Sequence, residues 1–216
     1  MGGNKLTEKR YRGVLFIFIL LPTFFVIYSK LLFFGTERFL RDTFASYSNF
    51  YYVINCFKNG TFPLWDPYTH AGQPFYYQFV KFPTGELSAL FFGMISRISD
   101  ASYLMLYNYY YTLHFMVFAF GCFYLARVIF KHKVIPYYVL FLCLFNSLYS
   151  YLLMQEGSIQ VLEFLPWLMA FFIMLVTGKG RAFHLFALVL VFLLYIQEMD
   201  LLISFYFFLI FCILVY

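Results

Sequence analysis

The chain has 216 residues, of which 63% are hydrophobic, 26% aromatic and only 12% charged. A soluble domain carries roughly 25% charged residues, so this composition excludes a soluble enzyme domain and a disordered tail. The formal net charge of +5 is spread along the chain, which argues against a nucleic-acid binder. The four cysteines show no paired spacing, so neither a disulfide framework nor a zinc site is indicated. The sequence predicts an all-α, polytopic transmembrane protein.

The first predicted elements are a cytoplasmic segment at residues 1–12 and a transmembrane helix at residues 13–34. Basic residues before the apolar run favour a cytoplasmic N-terminus, and they are Lys5, Lys9, Arg10 and Arg12. A cleaved signal peptide is the competing interpretation, but no small-residue cleavage site follows the long apolar run. An uncleaved membrane anchor is therefore favoured.

Residues 35–102 form the predicted first extracytoplasmic loop, which begins with an amphipathic helix at residues 43–59. Large apolar side chains recur three or four positions apart on one face: Phe44, Tyr47, Phe50, Tyr51, Ile54 and Phe57. We expect these rings to lie in the lipid headgroup layer. Asn59 and Gly60 are expected to end the helix as a turn, which is favoured over the glycosylation sequon that they form with Thr61.

Residues 60–79 predict a fixed loop rather than a helix, because prolines and glycines are spaced through them. Asp66 lies between Trp65 and Pro67, where we expect it to fold the loop through an Asx-type turn rather than to contact a ligand. The apolar segment at residues 86–98 is short for a full span, so a re-entrant or interfacial helix is favoured over a tilted span.

Further transmembrane helices are predicted at residues 103–130, 134–154, 164–176, 183–196 and 201–216. If residues 86–98 do not cross the membrane, most basic residues fall on the cytoplasmic side, as the positive-inside rule requires. The chain ends inside an apolar run, so we expect it to be an N-terminal piece of a longer protein.

This arrangement places nearly every acidic residue near the outer face of the membrane. They are Glu37, Asp42, Asp66, Glu86, Asp100, Glu156, Glu163, Glu198 and Asp200. These acids either populate solvated outer loops or contribute to an outward-facing site.

An acidic residue after the first span, an aromatic amphipathic helix and a Gly/Pro/Trp loop motif follow one another in this sequence. The motif residues are Gly60, Pro63, Leu64, Trp65, Asp66, Pro67, Tyr68, Gly72 and Pro74. In these features the chain resembles the YfhO-like bacterial membrane proteins, within the GT-C class of polytopic glycosyltransferases. The specific motifs cover residues 37–80 and, more weakly, 155–167, where Gly157 precedes the run Leu165-Pro166-Trp167. A later polar pair of that family is replaced by the sequence at residues 197–200.

The resemblance implies transfer of a sugar from a polyprenyl-phosphate donor to an acceptor at the outer face of a bacterial inner membrane. Its implied partners are this lipid-linked donor and membrane lipids, with no nucleic acid, and protein partners are left open. Asp42 matches the family's acidic residue and is the candidate general base, with a helix N-cap as its competing role. Glu37 has three candidate roles: an assisting acid, a ligand for a divalent metal ion as cofactor, or an ordinary juxtamembrane charge.

Basic groups are needed to stabilise the departing lipid phosphate. Arg38 and Arg41 are the first candidates, although Arg41 can instead pair with Asp42. His70 and Lys81 are weaker candidates, and Glu156 is the preferred second carboxylate. His114 and His184 are expected to be structural, and Glu163, Glu198 and Asp200 to be either functional acids or solvated helix ends.

The main alternative is a non-catalytic GT-C-like membrane scaffold or assembly subunit, in which the motif serves loop folding alone. A transporter is less favoured, because the polar residues of this sequence concentrate near the outer face rather than at the membrane midplane.

Overall fold

A computed structural model describes residues 16–29, 43–66, 72–74, 83–99, 101–146 and 162–198. These parts are helical apart from two short strands, so the all-α prediction is confirmed for them. The helices are α1 (Phe16–Ile27), α2 (Thr43–Lys58), α3 (Pro83–Ile98), α4 (Tyr103–Ile129), α5 (Ile135–Phe145), α6 (Leu165–Val176) and α7 (Ala182–Glu198). The strands are β1 (Trp65–Asp66) and β2 (Gln73–Pro74), which pair antiparallel.

Helix α4 is the centre of the bundle and has well-defined ends. The Ser102 side chain accepts a hydrogen bond from the Met105 backbone N–H, which caps the N-terminus of α4. Its 27 residues span about 40 Å at 1.5 Å per residue. Among the described residues it is the one helix long and apolar enough to cross a membrane, and the other apolar helices are shorter. This one candidate span supports an association of the chain with a membrane.

Helices α1 and α5 both run antiparallel to α4. The Phe24 ring of α1 stacks on Phe115 of α4 with centroids 6.1 Å apart. At the other end of α1, Phe16 contacts Tyr137 of α5, and the same tyrosine contacts Phe123 of α4. Since Phe16 lies level with Phe123 and Phe24 with Phe115, helices α1 and α4 run in opposite directions. Helix α5 packs along α4 after the short connection 130–134, so it also returns antiparallel.

Helices α2 and α3 pack side by side on the N-terminal half of α4. Tyr51 of α2 contacts Tyr103 at the start of α4, and Phe50 contacts Tyr110 one to two turns further along, with centroids 4.7 and 4.9 Å apart. Phe92 of α3 contacts both Phe50 and Tyr110. Asn55 of α2 bonds to Tyr103 while Phe50 reaches Tyr110. Phe92 of α3 reaches Tyr110 while Ser88 reaches His114, so both helices run antiparallel to α4.

The apolar face of α2 lies inside the bundle rather than in a headgroup layer. Phe50, Tyr52, Val53 and Ile54 are buried, and they pack in the core that includes residues of α3 and α4. The helix itself agrees with the prediction, because it covers Thr43–Lys58 within the predicted residues 43–59. The partner of its apolar face differs, since the neighbouring helices supply the aromatic rings that cover it.

Helix α6 runs parallel to α4, and α7 returns antiparallel to α6. The Trp167 indole donates to the Val117 carbonyl over 3.0 Å, and Tyr124 further along α4 contacts both Trp167 and Phe171. Phe171 also contacts His184 at the start of α7. The directions of α1, α4, α5, α6 and α7 therefore alternate along the chain.

Candidate functional site

Most of the residues named as catalytic or phosphate-binding candidates lie outside the described part of the chain. They are Glu37, Arg38, Arg41, Asp42, His70, Lys81 and Glu156, together with Pro67 and Tyr68 of the loop motif. Their roles remain predictions. The structure does describe six of the other motif residues, namely Gly60, Pro63, Trp65, Gly72 and the backbones of Asp66 and Pro74.

Gly60 ends helix α2 in the way the sequence predicted. Its φ of 72° lies in the left-handed region that favours glycine. The Gly60 N–H bonds to the Phe57 carbonyl and the Thr61 N–H to the Cys56 carbonyl, which is the Schellman arrangement. The Arg97 Nε donates to the same Phe57 carbonyl over 2.8 Å, so α3 also helps to cap α2. This observation favours the turn role of Gly60.

Gly72 packs against the Trp65 indole where the loop folds back on itself. Gly72 has a φ of 99°, and a Cβ built there would lie 2.9 Å from the Trp65 Nε1. The backbone pairs Trp65 with Pro74 and Asp66 with Gln73. The buried Tyr52 hydroxyl donates to the Trp65 carbonyl, which ties the loop to α2. These contacts give the motif a structural role that does not require a ligand.

A shallow cavity of about 250 Å³ lies beside this loop. Its lining comes from the end of α2, the following loop and the exposed side of α3: Phe57, Gly60, Thr61, Phe62, Leu90, Met94 and Arg97. Arg97 is the one charged side chain of that lining, and its Nε already bonds to the α2 carbonyl. The guanidinium is therefore partly committed to capping α2.

A buried polar cluster in the middle of the bundle is the feature that sequence reasoning missed. The Glu163 Oε2 lies 2.6 Å from the His114 Nδ1, and the His114 Nε2 lies 3.2 Å from the Ser88 hydroxyl. Glu163 is 1% exposed and His114 5% exposed. A carboxyl so deeply buried needs a charged or hydrogen-bonding partner, and His114 provides it.

Three separate parts of the chain build this cluster. Ser88 is on α3, His114 is near the middle of α4, and Glu163 lies just before α6. The Tyr110 ring packs edge-on against the imidazole with centroids 4.6 Å apart, which fixes the ring plane. Within the described residues no group of three or more histidines, cysteines and acids is arranged to hold a metal ion. The described side chains of the cluster form a hydrogen-bonded chain from Ser88 through His114 to Glu163.

The position of Glu163 corrects part of the expectation drawn from the sequence. The sequence left two roles for this residue, a functional acid or a solvated helix end, and its burial removes the second. An ionisable residue beside an apolar span was the available signal. Its pairing with His114, 49 positions earlier, could not be read from either local pattern.

No protein-family model, curated protein or solved structure matches the chain.

Proposed function

We propose that the chain is a multi-pass membrane glycosyltransferase that transfers a sugar from a polyprenyl-phosphate donor at the outer membrane face. The loop motif and the acidic residue before α2 support the proposal through their resemblance to the GT-C class. The alternating directions of the bundle helices support the topology, with the N-terminus cytoplasmic.

One observation carries most weight. Helix α2 begins at Thr43, which directly follows Asp42 in the sequence. The N-terminal end of α2 is the end further along α4, because Asn55 bonds to Tyr103 whereas Phe50 packs on Tyr110. The position directly before this helix is the one to which the resemblance assigns the general base.

In the proposed reaction the candidate residues of the first outer loop have different tasks. Asp42 accepts the proton of the acceptor hydroxyl as that oxygen attacks the anomeric carbon. The bond to the lipid phosphate breaks, and Arg38 and Arg41 stabilise the phosphate that leaves. Glu37 assists the base or holds a divalent metal ion.

A transfer assay tests this assignment. The purified chain is placed in phospholipid vesicles with a radiolabelled polyprenyl-phosphate sugar, and transfer to added acceptors is measured. Asp42→Asn should lower transfer by at least about 100-fold, because loss of general-base catalysis typically costs 10²–10⁴-fold. Asp100→Asn, the same chemical change at another outer acid, should leave transfer unchanged. Equal transfer by Asp42→Asn and the wild type would remove Asp42 from the mechanism.

A second candidate function is a non-catalytic membrane scaffold, and a specific observation favours it. The described motif residues are explained by loop packing, since Gly72 fits under Trp65 and Tyr52 holds the Trp65 carbonyl. In a scaffold Asp42→Asn would leave assembly of the protein with its partners unchanged, and no variant would alter sugar transfer. A Trp65→Ala variant would then disrupt assembly by releasing the loop.

A further inference from the structure

The buried cluster of Ser88, His114 and Glu163 connects its side chains in a definite order. The imidazole uses Nδ1 toward the carboxyl and Nε2 toward the hydroxyl, at 2.6 Å and 3.2 Å. When Glu163 is ionised, its Oε2 accepts the Nδ1 proton, and this leaves the Nε2 lone pair facing the Ser88 oxygen. A hydroxyl, an imidazole and a carboxyl in this sequence form the arrangement that activates a serine nucleophile.

The two ends of the relay differ in their surroundings. Glu163 is sealed at 1% exposed, as suits a group that orients the imidazole and stabilises its charged form. Ser88 is only half-buried, and it lies on a helix whose outer side exposes large apolar side chains. Phe91, one turn further along, is 56% exposed, and Met94 is 63% exposed. Ser88 is therefore the more exposed end of the relay, on a helix that carries exposed apolar side chains.

Packing alone does not account for the cluster well. A buried carboxyl and imidazole cost desolvation free energy, and apolar residues of similar volume often stabilise a core as well or better. A second Ser on the same helix shows the alternative use of a hydroxyl. Ser96 is buried and donates to the Gly93 carbonyl of its own helix over 2.7 Å. The Ser88 hydroxyl also lies within hydrogen-bond distance of the imidazole on a neighbouring helix.

We propose that Ser88 is a nucleophile for acyl transfer, activated by His114 and Glu163, and that its donor is an ester with an apolar acyl chain. The Ser88 oxygen attacks the ester carbonyl carbon, and its proton passes to the His114 Nε2. The imidazolium is stabilised by the Glu163 carboxylate at Nδ1. Collapse of the tetrahedral intermediate breaks the ester C–O bond, and the leaving alcohol takes the proton from Nε2. Water or an acceptor hydroxyl then attacks the acyl carbonyl carbon and gives its proton to the His114 Nε2. The bond between the Ser88 oxygen and the acyl group breaks, and the Ser88 oxygen takes the proton back.

This activity goes beyond sugar transfer and does not depend on it. Asp42 has no part in the acyl-transfer steps, and the chemistry uses a carbonyl carbon rather than an anomeric carbon. The two proposals can therefore fail separately. An Asp42→Asn protein should keep the full serine reactivity, and a Ser88→Ala protein should keep any sugar transfer.

A fluorophosphonate probe with an alkyl chain tests the nucleophile directly. The purified full chain in detergent micelles is incubated with the probe, and the modified residue is located by mass spectrometry of peptides. In the expected reaction the Ser88 oxygen bonds to phosphorus, fluoride leaves, and the proton goes to His114. The wild type should be labelled at Ser88 and the Ser88→Ala variant should not be labelled.

Further variants separate activation from folding. His114→Ala should lower the labelling rate by at least about 100-fold, the typical contribution of a general base. Glu163→Gln keeps a hydrogen-bond acceptor for Nδ1 but loses the charge, so it should fold and label roughly 10-fold or more slowly. Ser96→Ala is the matched control and should label at the wild-type rate. The monomer peak in size-exclusion chromatography identifies the variants that fold.

Two results would overturn the proposal. One is a folded wild type that the probe leaves unmodified at Ser88. The other is an equal labelling rate in the wild type and in folded Glu163→Gln. Equal rates would mean that the Glu163–His114 pair is structural and does not set the reactivity of Ser88. If His114→Ala fails to fold, Glu163→Gln and Ser88→Ala decide the question by themselves.

Discussion

Gly121 provides the strictest test of how α4 packs against α6. A Cβ built at this position would lie 2.6 Å from the Trp167 Nε1 and 3.2 Å from the Pro166 Cβ. The first distance is far below ordinary contact, so Gly121→Ala must displace the indole. The displacement also weakens the bond from Trp167 to the Val117 carbonyl, which is 3.0 Å long.

The expected cost follows from three contributions. Overpacking costs about 1–3 kcal/mol, and the lost hydrogen bond adds about 0.5–1.5 kcal/mol. Replacing glycine by alanine inside a helix returns about 1 kcal/mol. The free energy of unfolding should therefore fall by about 0.5–3.5 kcal/mol, which lowers the melting temperature measurably.

The assay is thermal unfolding in detergent, followed by the loss of the monomer peak in size-exclusion chromatography. A Trp167→Phe variant loses the hydrogen bond and part of the indole volume, so Gly121→Ala in that background should cost less than in the wild type. The difference is the coupling between the two positions. Equal costs in the two backgrounds, or a stabilising effect of Gly121→Ala alone, would refute the packing of α6 on α4.

Two other predictions concern the loop and the topology. Gly72→Ala should destabilise the loop by about 1–3 kcal/mol, since its φ of 99° is strained for alanine and the new Cβ would meet the Trp65 indole. Limited proteolysis should cut the variant faster between residues 60 and 79, and an unchanged rate would contradict the loop geometry. In a cysteine-free background, Thr61→Cys in intact cells should react with a membrane-impermeant maleimide and Lys133→Cys should not. The opposite pattern would invert the proposed topology.

Local patterns in the sequence located several helices closely. The spacing of rings predicted a helix at residues 43–59, and α2 covers Thr43–Lys58. The apolar run at residues 103–130 corresponds to α4 at Tyr103–Ile129, and the start of α6 has a proline in its first turn. These features depend on neighbours in sequence, where turn residues, caps and periodicity act directly.

Features that depend on distant residues were harder to predict. The buried face of α2 could equally have met lipid or protein, because both environments accept aromatic rings. His114 looked structural while its partner was unknown, and Glu163 looked like a helix-end acid. Only the parallel packing of α6 on α4 brings these two side chains within 2.6 Å. The sequence predicted one helix at residues 134–154. Helix α5 ends at Phe145 instead, and residues 147–154 lie outside the described part of the chain.

The central claim, sugar transfer with Asp42 as the base, is tested most directly by measuring polyprenyl phosphate released from a lipid-linked sugar. The measurement compares the wild type, Asp42→Asn and Asp100→Asn in identical vesicles containing acceptor. We predict release by the wild type and Asp100→Asn, and a rate at least about 100-fold lower for Asp42→Asn. Equal release by all three proteins, or none by a correctly folded wild type across a panel of sugars and acceptors, would contradict the account.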